Sequence, residues 1–124
     1  MRQQPIPNVT SNDVERIVRR DYSETQFDSV MAVLKGCEAS ASRRRERPRV
    51  QLAALKLANG DLKALRTHIN RAVQDFRDVL GPAEYPEYSK QVAFRLRKPV
   101  LAEDQRMQRI IDSDWKQYEV WLQR

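Results

Sequence analysis

The strongest constraint on the fold is a pair of amphipathic helical patterns that meet at Asn59-Gly60-Asp61. Beyond this junction, apolar residues recur at alternating steps of three and four, the spacing of a helix face that packs against a partner; they are Leu62, Leu65, Ile69, Ala72, Phe76 and Val79. The preceding segment supplies the partner with Val50, Ala53, Ala54, Leu57 and Ala58. Asn59-Gly60 favours a left-handed helix end and Asp61 favours a new helix start, so the sequence predicts an antiparallel αα-hairpin.

The flanking sequence extends this hairpin to an all-α fold of about five helices. Asn12 with Glu15, and Ser23 with Gln26, form two capping boxes that each begin a short helix. Gly81-Pro82 is expected to end the helix that begins after Asp61. We expect helices over about residues 12–22, 23–35, 47–58, 62–80 and 101–122.

The chain of 124 residues has the length of one domain with one core. Residues 1–10 are predicted to be a flexible tail, since Pro5 and Pro7 oppose a helix. Residues 11–124 are predicted to form a single all-α domain. Residues 37–47 are predicted to form a loop, and residues 84–98 a long irregular connection in which alternating apolar residues allow a short extended piece.

Composition argues against several classes of protein. No apolar run approaches the roughly twenty residues that a membrane helix needs, and the N-terminus lacks the apolar region of a secretory signal. A single cysteine, Cys37, permits no intrachain disulfide, which favours the cytoplasm. One histidine and three glycines supply neither a histidine metal triad nor a phosphate-binding loop, so we expect no metal and no cofactor. That histidine, His68, is expected at the edge of the core.

The net charge of +6 is concentrated in two basic segments. Each segment carries a net +4, so the rest of the chain carries about −2. These segments are candidate contacts for nucleic acid or an acidic partner, because guanidinium groups bind phosphate and carboxylate in a fork; the alternative is a solvated loop. The residues are Arg43, Arg44, Arg45, Arg47 and Arg49 in the first segment, and Lys90, Arg95, Arg97 and Lys98 in the second.

A polar cluster is predicted near the end of the long fourth helix. Asp75 and Asp78 share a helix side, and Glu84 and Tyr85 follow the Gly81-Pro82 turn. Two carboxylates at this spacing suit a divalent ion or a division of acid and base roles. The structural alternative is a salt-bridged helix flank, with Arg71 four residues before Asp75 and Arg77 adjacent.

The C-terminal helix is a candidate partner surface. Trp115 lies on its apolar stripe and is expected in the core. Trp121 lies between stripe positions and is expected to be partly exposed beside Val120, unless the helix crosses the bundle and buries both sides. Phe94, within the second basic segment, is a further candidate for this surface.

Four sequence blocks stand out: Val50–Leu62 (VQLAALKLANGDL), Asp75–Leu80 (DFRDVL), Ala83–Pro86 (AEYP) and, near the end, Asp114–Tyr118 (DWKQY). Together they resemble a family of small, uncharacterised bacterial helical proteins. The similarity covers about residues 13–88. It implies a bacterial, cytoplasmic setting and no particular activity.

These observations lead to three functional hypotheses. The first is a non-enzymatic protein–protein interaction module that binds another protein or itself. The second is a nucleic-acid-binding protein that uses residues 43–49 and 90–98. The third is a small metal- or acid/base-dependent enzyme that uses Asp75, Asp78 and Glu84. A fold alone does not select among them.

Overall fold

The computed structural model describes residues 5–36, 47–95 and 104–124, and it is all-helical over these ranges, with no strand in them. The described residues form seven α-helices and one 3₁₀ turn, where the sequence predicts about five helices. In chain order the helices are α1 Ser11–Asp21, α2 Phe27–Leu34, α3 Arg47–Ala58, α4 Leu62–Gln74, α5 Arg77–Glu84, α6 Pro86–Arg95 and α7 Asp104–Gln123, with the 3₁₀ turn at Glu24–Gln26.

The chain divides into two compact units. The N-terminal unit is Pro7–Leu80, and the C-terminal unit is Gly81–Arg124 with Met1–Ile6. The prediction that residues 11–124 form one domain stays a prediction. Within the predicted tail, Pro7 is buried, and the carbonyl of Pro5 accepts a hydrogen bond from the Tyr85 hydroxyl. Among the described residues, no helix is long and apolar enough to cross a membrane.

The N-terminal unit is built around the packed pair α3 and α4. The turn between them has the predicted conformation, with positive φ of 51° at Asn59 and 84° at Gly60. The Asp61 carboxylate accepts from the backbone N–H groups of Lys63 and Ala64 at 2.9 and 3.2 Å, which caps α4 as predicted. α3 is buried on most sides because small alanines allow close approach of its neighbours; its buried residues are Val50, Gln51, Leu52, Ala53, Ala54, Leu55 and Ala58.

The two short helices before α3 are present as predicted, but neither begins with its predicted capping box. Ser23 makes no side-chain cap hydrogen bond, and α2 begins at Phe27 after the 3₁₀ turn. α1 begins differently as well. Its N-cap is Thr10, and the Asp13 carboxylate accepts from the Thr10 backbone N–H at 2.9 Å. The predicted capping box at Asn12 and Glu15 is therefore wrong. Glu15 instead pairs with Arg19 one turn later, at 2.9 Å. α1 buries Val14, Ile17 and Val18, and α2 buries Val30 and Leu34.

The predicted helix over 62–80 is interrupted at Asp75. Its backbone is extended, with φ −154° and ψ 107°, and its side chain accepts from the Arg77 N–H at 3.0 Å. Aspartate competes with helical bonding in this way because its carboxylate reaches the backbone N–H two residues ahead. The predicted end at Gly81-Pro82 is also wrong, since both residues lie inside α5. Pro82 has no N–H to donate to the carbonyl of Asp78, four residues earlier in the helix. Both residues are exposed, so water can donate to that carbonyl instead.

The C-terminal unit packs α6 against α7. The prediction of an irregular connection over residues 84–98 is wrong as far as Arg95, because Pro86–Arg95 is helical. Proline suits the first turn of a helix, and the buried Asp114 carboxylate of α7 accepts from the Tyr88 backbone N–H of α6 at 2.8 Å. α7 matches the predicted C-terminal helix over its described part, with Met107, Ile111, Tyr118 and Trp121 buried.

Candidate nucleic-acid interface

One exposed surface of the N-terminal unit, the outer side of α4, combines cations with uncharged polar groups. α4 contains no aspartate or glutamate between Leu62 and Gln74. It buries Leu65, Ile69 and Ala72 on the inner side. We call the exposed residues of the outer side the α4 face; they are Lys63, Arg66, Thr67, Asn70, Arg71, Val73 and Gln74.

The helical repeat orders the α4 face into a centre and two flanks. At about 100° per residue, Lys63, Asn70 and Gln74 fall within about 20° of one line along the helix. Arg66 lies about 60° to one side of this line and Arg71 about 80° to the other. Two guanidinium groups therefore border a strip that carries two amides and a lysine.

The cations of the α4 face have no carboxylate partner within the described ranges. Neither Lys63, Arg66 nor Arg71 makes a salt bridge there. The arginines of α1 provide the contrast, since Arg16 pairs with Asp13 at 3.8 Å and Arg19 pairs with Glu15 at 2.9 Å. The positive charge of α1 is thus neutralised locally, whereas that of α4 is directed to solvent.

The carboxylates at the two ends of α4 are held by local groups. The Asp61 carboxylate accepts from two backbone N–H groups of α4. Asp75 forms an ion pair with Arg77, 3.1 Å from Nε to Oδ1. Hydrogen bonds from the Arg77 side chain and from its backbone N–H hold the pKa of Asp75 below its usual value. Of the two arginines that the sequence places beside Asp75, Arg77 forms the ion pair and Arg71 does not. Both carboxylates that flank α4 therefore already have partners, and neither pairs with a cation of the α4 face.

His68 lies at the edge of the α4 face, half-buried as predicted. Its Nδ1 is buried and has no hydrogen-bond partner in the part of the chain that the structure describes. Burial, followed by the nearby charge of Arg71, lowers the pKa of His68. The imidazole is therefore neutral at pH 7 and leaves the positive charge of this region to the lysine and the two arginines.

The two predicted basic segments lie largely outside the described residues. This holds for Arg43, Arg44, Arg45, Arg97 and Lys98, and the side chain of Arg95 is likewise not described. Arg47 and Arg49 are half-buried in the first turn of α3. Lys90 is exposed and lies 3.5 Å from Glu87 within α6. The binding roles of both segments stay predictions.

The residues of the predicted polar cluster have separate local roles. Asp75 pairs with Arg77, and Asp78 is exposed. Glu84 and Tyr85 are buried in the C-terminal unit, and Gln117 Nε2 of α7 donates to the Glu84 carbonyl at 3.4 Å. Among the described residues, no group of three His, Cys, Asp or Glu side chains is arranged to hold a metal ion.

The exposed residues of the C-terminal helix α7 differ from those that the sequence predicts. Trp121 is only 7% exposed, so the expectation of a partly exposed tryptophan is wrong, while Val120 is 55% exposed. Trp115 is half-buried rather than in the core. Tyr118 lies between the two tryptophans, 5.6 Å from Trp121 and 6.3 Å from Trp115 between ring centroids, and this packing draws Trp121 inward. The side chain of Phe94 lies outside the described set.

The α4 face was not among the predicted sites, although the sequence carries a signal for it. Charge density along the chain favours the arginine run, where five cations fall within seven residues. The signal for α4 is the absence of acids over thirteen residues together with amides at Asn70 and Gln74, opposite the apolar stripe. Only the structure shows that its cations lack ion-pair partners in the described ranges.

A scan against protein-family models finds no match to this chain, and searches of curated proteins and of solved structures find no similar protein. The resemblance stated above therefore rests on its sequence blocks alone, and the geometry of the chain carries the functional argument.

Proposed function

We propose that this protein binds nucleic acid through the α4 face. The observation that carries the proposal is the set of three exposed cations, Lys63, Arg66 and Arg71, on a helix without acids and without salt bridges to the described residues. Cations already paired with carboxylates gain little from a phosphate, because the new contact replaces an existing one. The cations of α4 are available to neutralise phosphates and release counterions.

The support under α4 suits this role. Its inner side is buried through Leu65, Ile69 and Ala72, and its first turn is fixed by Asp61. The hairpin that the sequence predicts is part of the proposal, since α3 would hold α4 as a rigid platform with its polar side outward. A bacterial cytoplasmic setting belongs to the same proposal, because chromosomal DNA and RNA are accessible there.

The direct test is the salt dependence of binding to a mixed-sequence duplex of about 20 base pairs, followed by fluorescence anisotropy. For the wild-type chain, we expect affinity to fall steeply as salt is raised. The triple variant Lys63→Ala, Arg66→Ala and Arg71→Ala should bind about tenfold or more weakly at low salt. Its plot of log affinity against log salt should be shallower by about three, because each lost phosphate contact removes about 0.9.

A matched control separates a local contact from the loss of net charge. Arg16→Ala removes an exposed cation of the same unit whose guanidinium is paired with Asp13. We expect its salt slope to equal that of the wild-type chain, whereas single substitution of Lys63, Arg66 or Arg71 by alanine should lower the slope by about one. An equal effect of Arg16→Ala and Arg66→Ala, or an unchanged slope in the triple variant, would refute the proposal.

The interaction module predicted from the sequence stays a second hypothesis, favoured by the exposure of Val120. Light scattering of the same preparations at low and high salt tests it. A salt-resistant dimer that Val120→Ser dissociates would support self-association through the C-terminal helix. A monomer at both salt concentrations would remove self-association from consideration.

A further inference from the structure

We propose that the α4 face reads base edges in the major groove of duplex DNA, with Asn70 and Gln74 as the residues that recognise adenine. This inference rests on the proposed nucleic-acid binding and adds the class of target and the residues that select it. Three observations support it: the position of the two amides on α4, the arginines on either side of them, and the absence of aromatic side chains from α4.

The two amides lie at the centre of the α4 face. Asn70 and Gln74 are exposed and four residues apart, and neither side-chain amide makes a hydrogen bond to any described residue. Asparagine and glutamine amides bind adenine with two hydrogen bonds, to N6 and N7. Since four residues rise about 6 Å along a helix and stacked bases repeat every 3.4 Å or so, the two amides match adenines one to two base pairs apart.

The flanking cations match the walls of a groove. Arg66 and Arg71 lie on opposite sides of the amide strip, about 140° apart around the helix. The major groove is about 12 Å wide, which admits one α-helix between its two phosphate backbones. A helix inserted with its amides toward the bases would direct one arginine to each strand.

The connection to α3 supplies the rigid support that base reading needs. α3 and α4 are joined by three residues that include Gly60, and the two helices pack together. A short turn and a packed partner helix fix the orientation of α4, which insertion of its outer side into the major groove requires. Glycine is favoured at position 60, because the φ is 84° and a Cβ would lie 3.2 Å from the Asp21 carbonyl oxygen.

The same residues argue against the other nucleic acids. Single strands are bound by stacking on aromatic rings, and α4 contains no Phe, Tyr or Trp. Double-stranded RNA has a deep and narrow major groove that side chains cannot read. A face of amides bordered by arginines therefore fits B-form DNA better than either.

The test is selection from a pool of randomised DNA duplexes, with sequencing of the bound fraction. The wild-type chain should enrich two adenines one to two base pairs apart. Asn70→Ala should lose the enrichment at one position and Gln74→Ala at the other, with about tenfold lower affinity for the selected duplex. Both variants should keep the wild-type salt slope, because loss of an uncharged amide removes no phosphate contact.

Two controls complete the experiment. Asn12→Ala removes an exposed amide from α1 and should leave the selected sequence unchanged. An RNA duplex of the selected sequence should bind no better than a DNA duplex of G·C pairs only.

Enrichment that persists in both α4 variants, or equal affinity for the DNA and RNA duplexes, would overturn base reading while the salt-dependent contact through the cations stands. Absence of salt-dependent binding to any duplex would overturn the proposed function and this inference together.

Discussion

At the residue scale, the N-terminal unit changes the pKa of the buried Tyr22 hydroxyl. The ring is buried after the last turn of α1, and its hydroxyl donates to the Asp61 carbonyl at 3.5 Å. Burial raises the pKa of Tyr22 to about 12, with smaller contributions from the charges of Asp21 and Asp61. The folded chain therefore holds the neutral phenol more strongly than the unfolded chain does.

This pKa sets a window of alkaline instability. Because the pKa of Tyr22 is raised in the folded state, its contribution to stability is complete below pH 10 and is lost as the pH rises toward 12. We expect the free energy of unfolding to fall by about 2 kcal/mol across this window, since one pKa unit corresponds to about 1.4 kcal/mol. Urea unfolding at several pH values measures it. Tyr22→Phe should flatten the dependence, and an equal slope in that variant would contradict the assignment.

Gly60 provides a second test at the residue scale. Its φ of 84° and the 3.2 Å that would separate a Cβ from the Asp21 carbonyl oxygen both disfavour a side chain here. We expect Gly60→Ala to destabilise the chain by about 1–3 kcal/mol, measured by urea unfolding. Asn59→Gly at the adjacent left-handed position is the matched control and should cost nothing. A neutral Gly60→Ala would show that the turn relaxes.

At the element scale, local signals predict some helix boundaries and miss others. The start of α4 is predictable because Asn59, Gly60 and Asp61 each act on neighbouring backbone. The end of α4 is not, because Phe76 and Val79 continue the apolar spacing, yet Phe76 is 43% exposed and the side chain of Asp75 interrupts the helix. α6 is missed for a different reason: the carboxylate that caps it belongs to Asp114, 26 positions along the chain.

The cap on α6 gives a prediction for this element. Removing the carboxylate leaves the Tyr88 N–H without its buried acceptor, so we expect Asp114→Ala to cost about 1–3 kcal/mol in the free energy of unfolding. Hydrogen exchange should locate the loss in the first turn of α6. Asp112→Ala removes an exposed carboxylate of the same helix and should change stability by less than about 0.5 kcal/mol. Equal costs for the two variants would contradict the capping role.

At the scale of the whole molecule, the positive net charge favours a polyanionic partner but does not indicate which surface would bind it. The excess of positive charge is visible in the sequence, and the arginine run is its densest part. The α4 face is a candidate because its cations have no ion-pair partner among the described residues. In α1, by contrast, carboxylates one turn away pair with Arg16 and Arg19. The fold class was predictable from periodicity alone; the candidate interface required side-chain contacts.

The most direct test of the α4 interface is a ¹H–¹⁵N NMR titration of the labelled chain with a mixed-sequence DNA duplex at low salt. We predict the largest shift changes at the amides of α4, from Lys63 to Gln74, with small changes along α1, and reversal of these changes when salt is added. Shift changes that centre on α7, or none at all at millimolar duplex, would contradict the account.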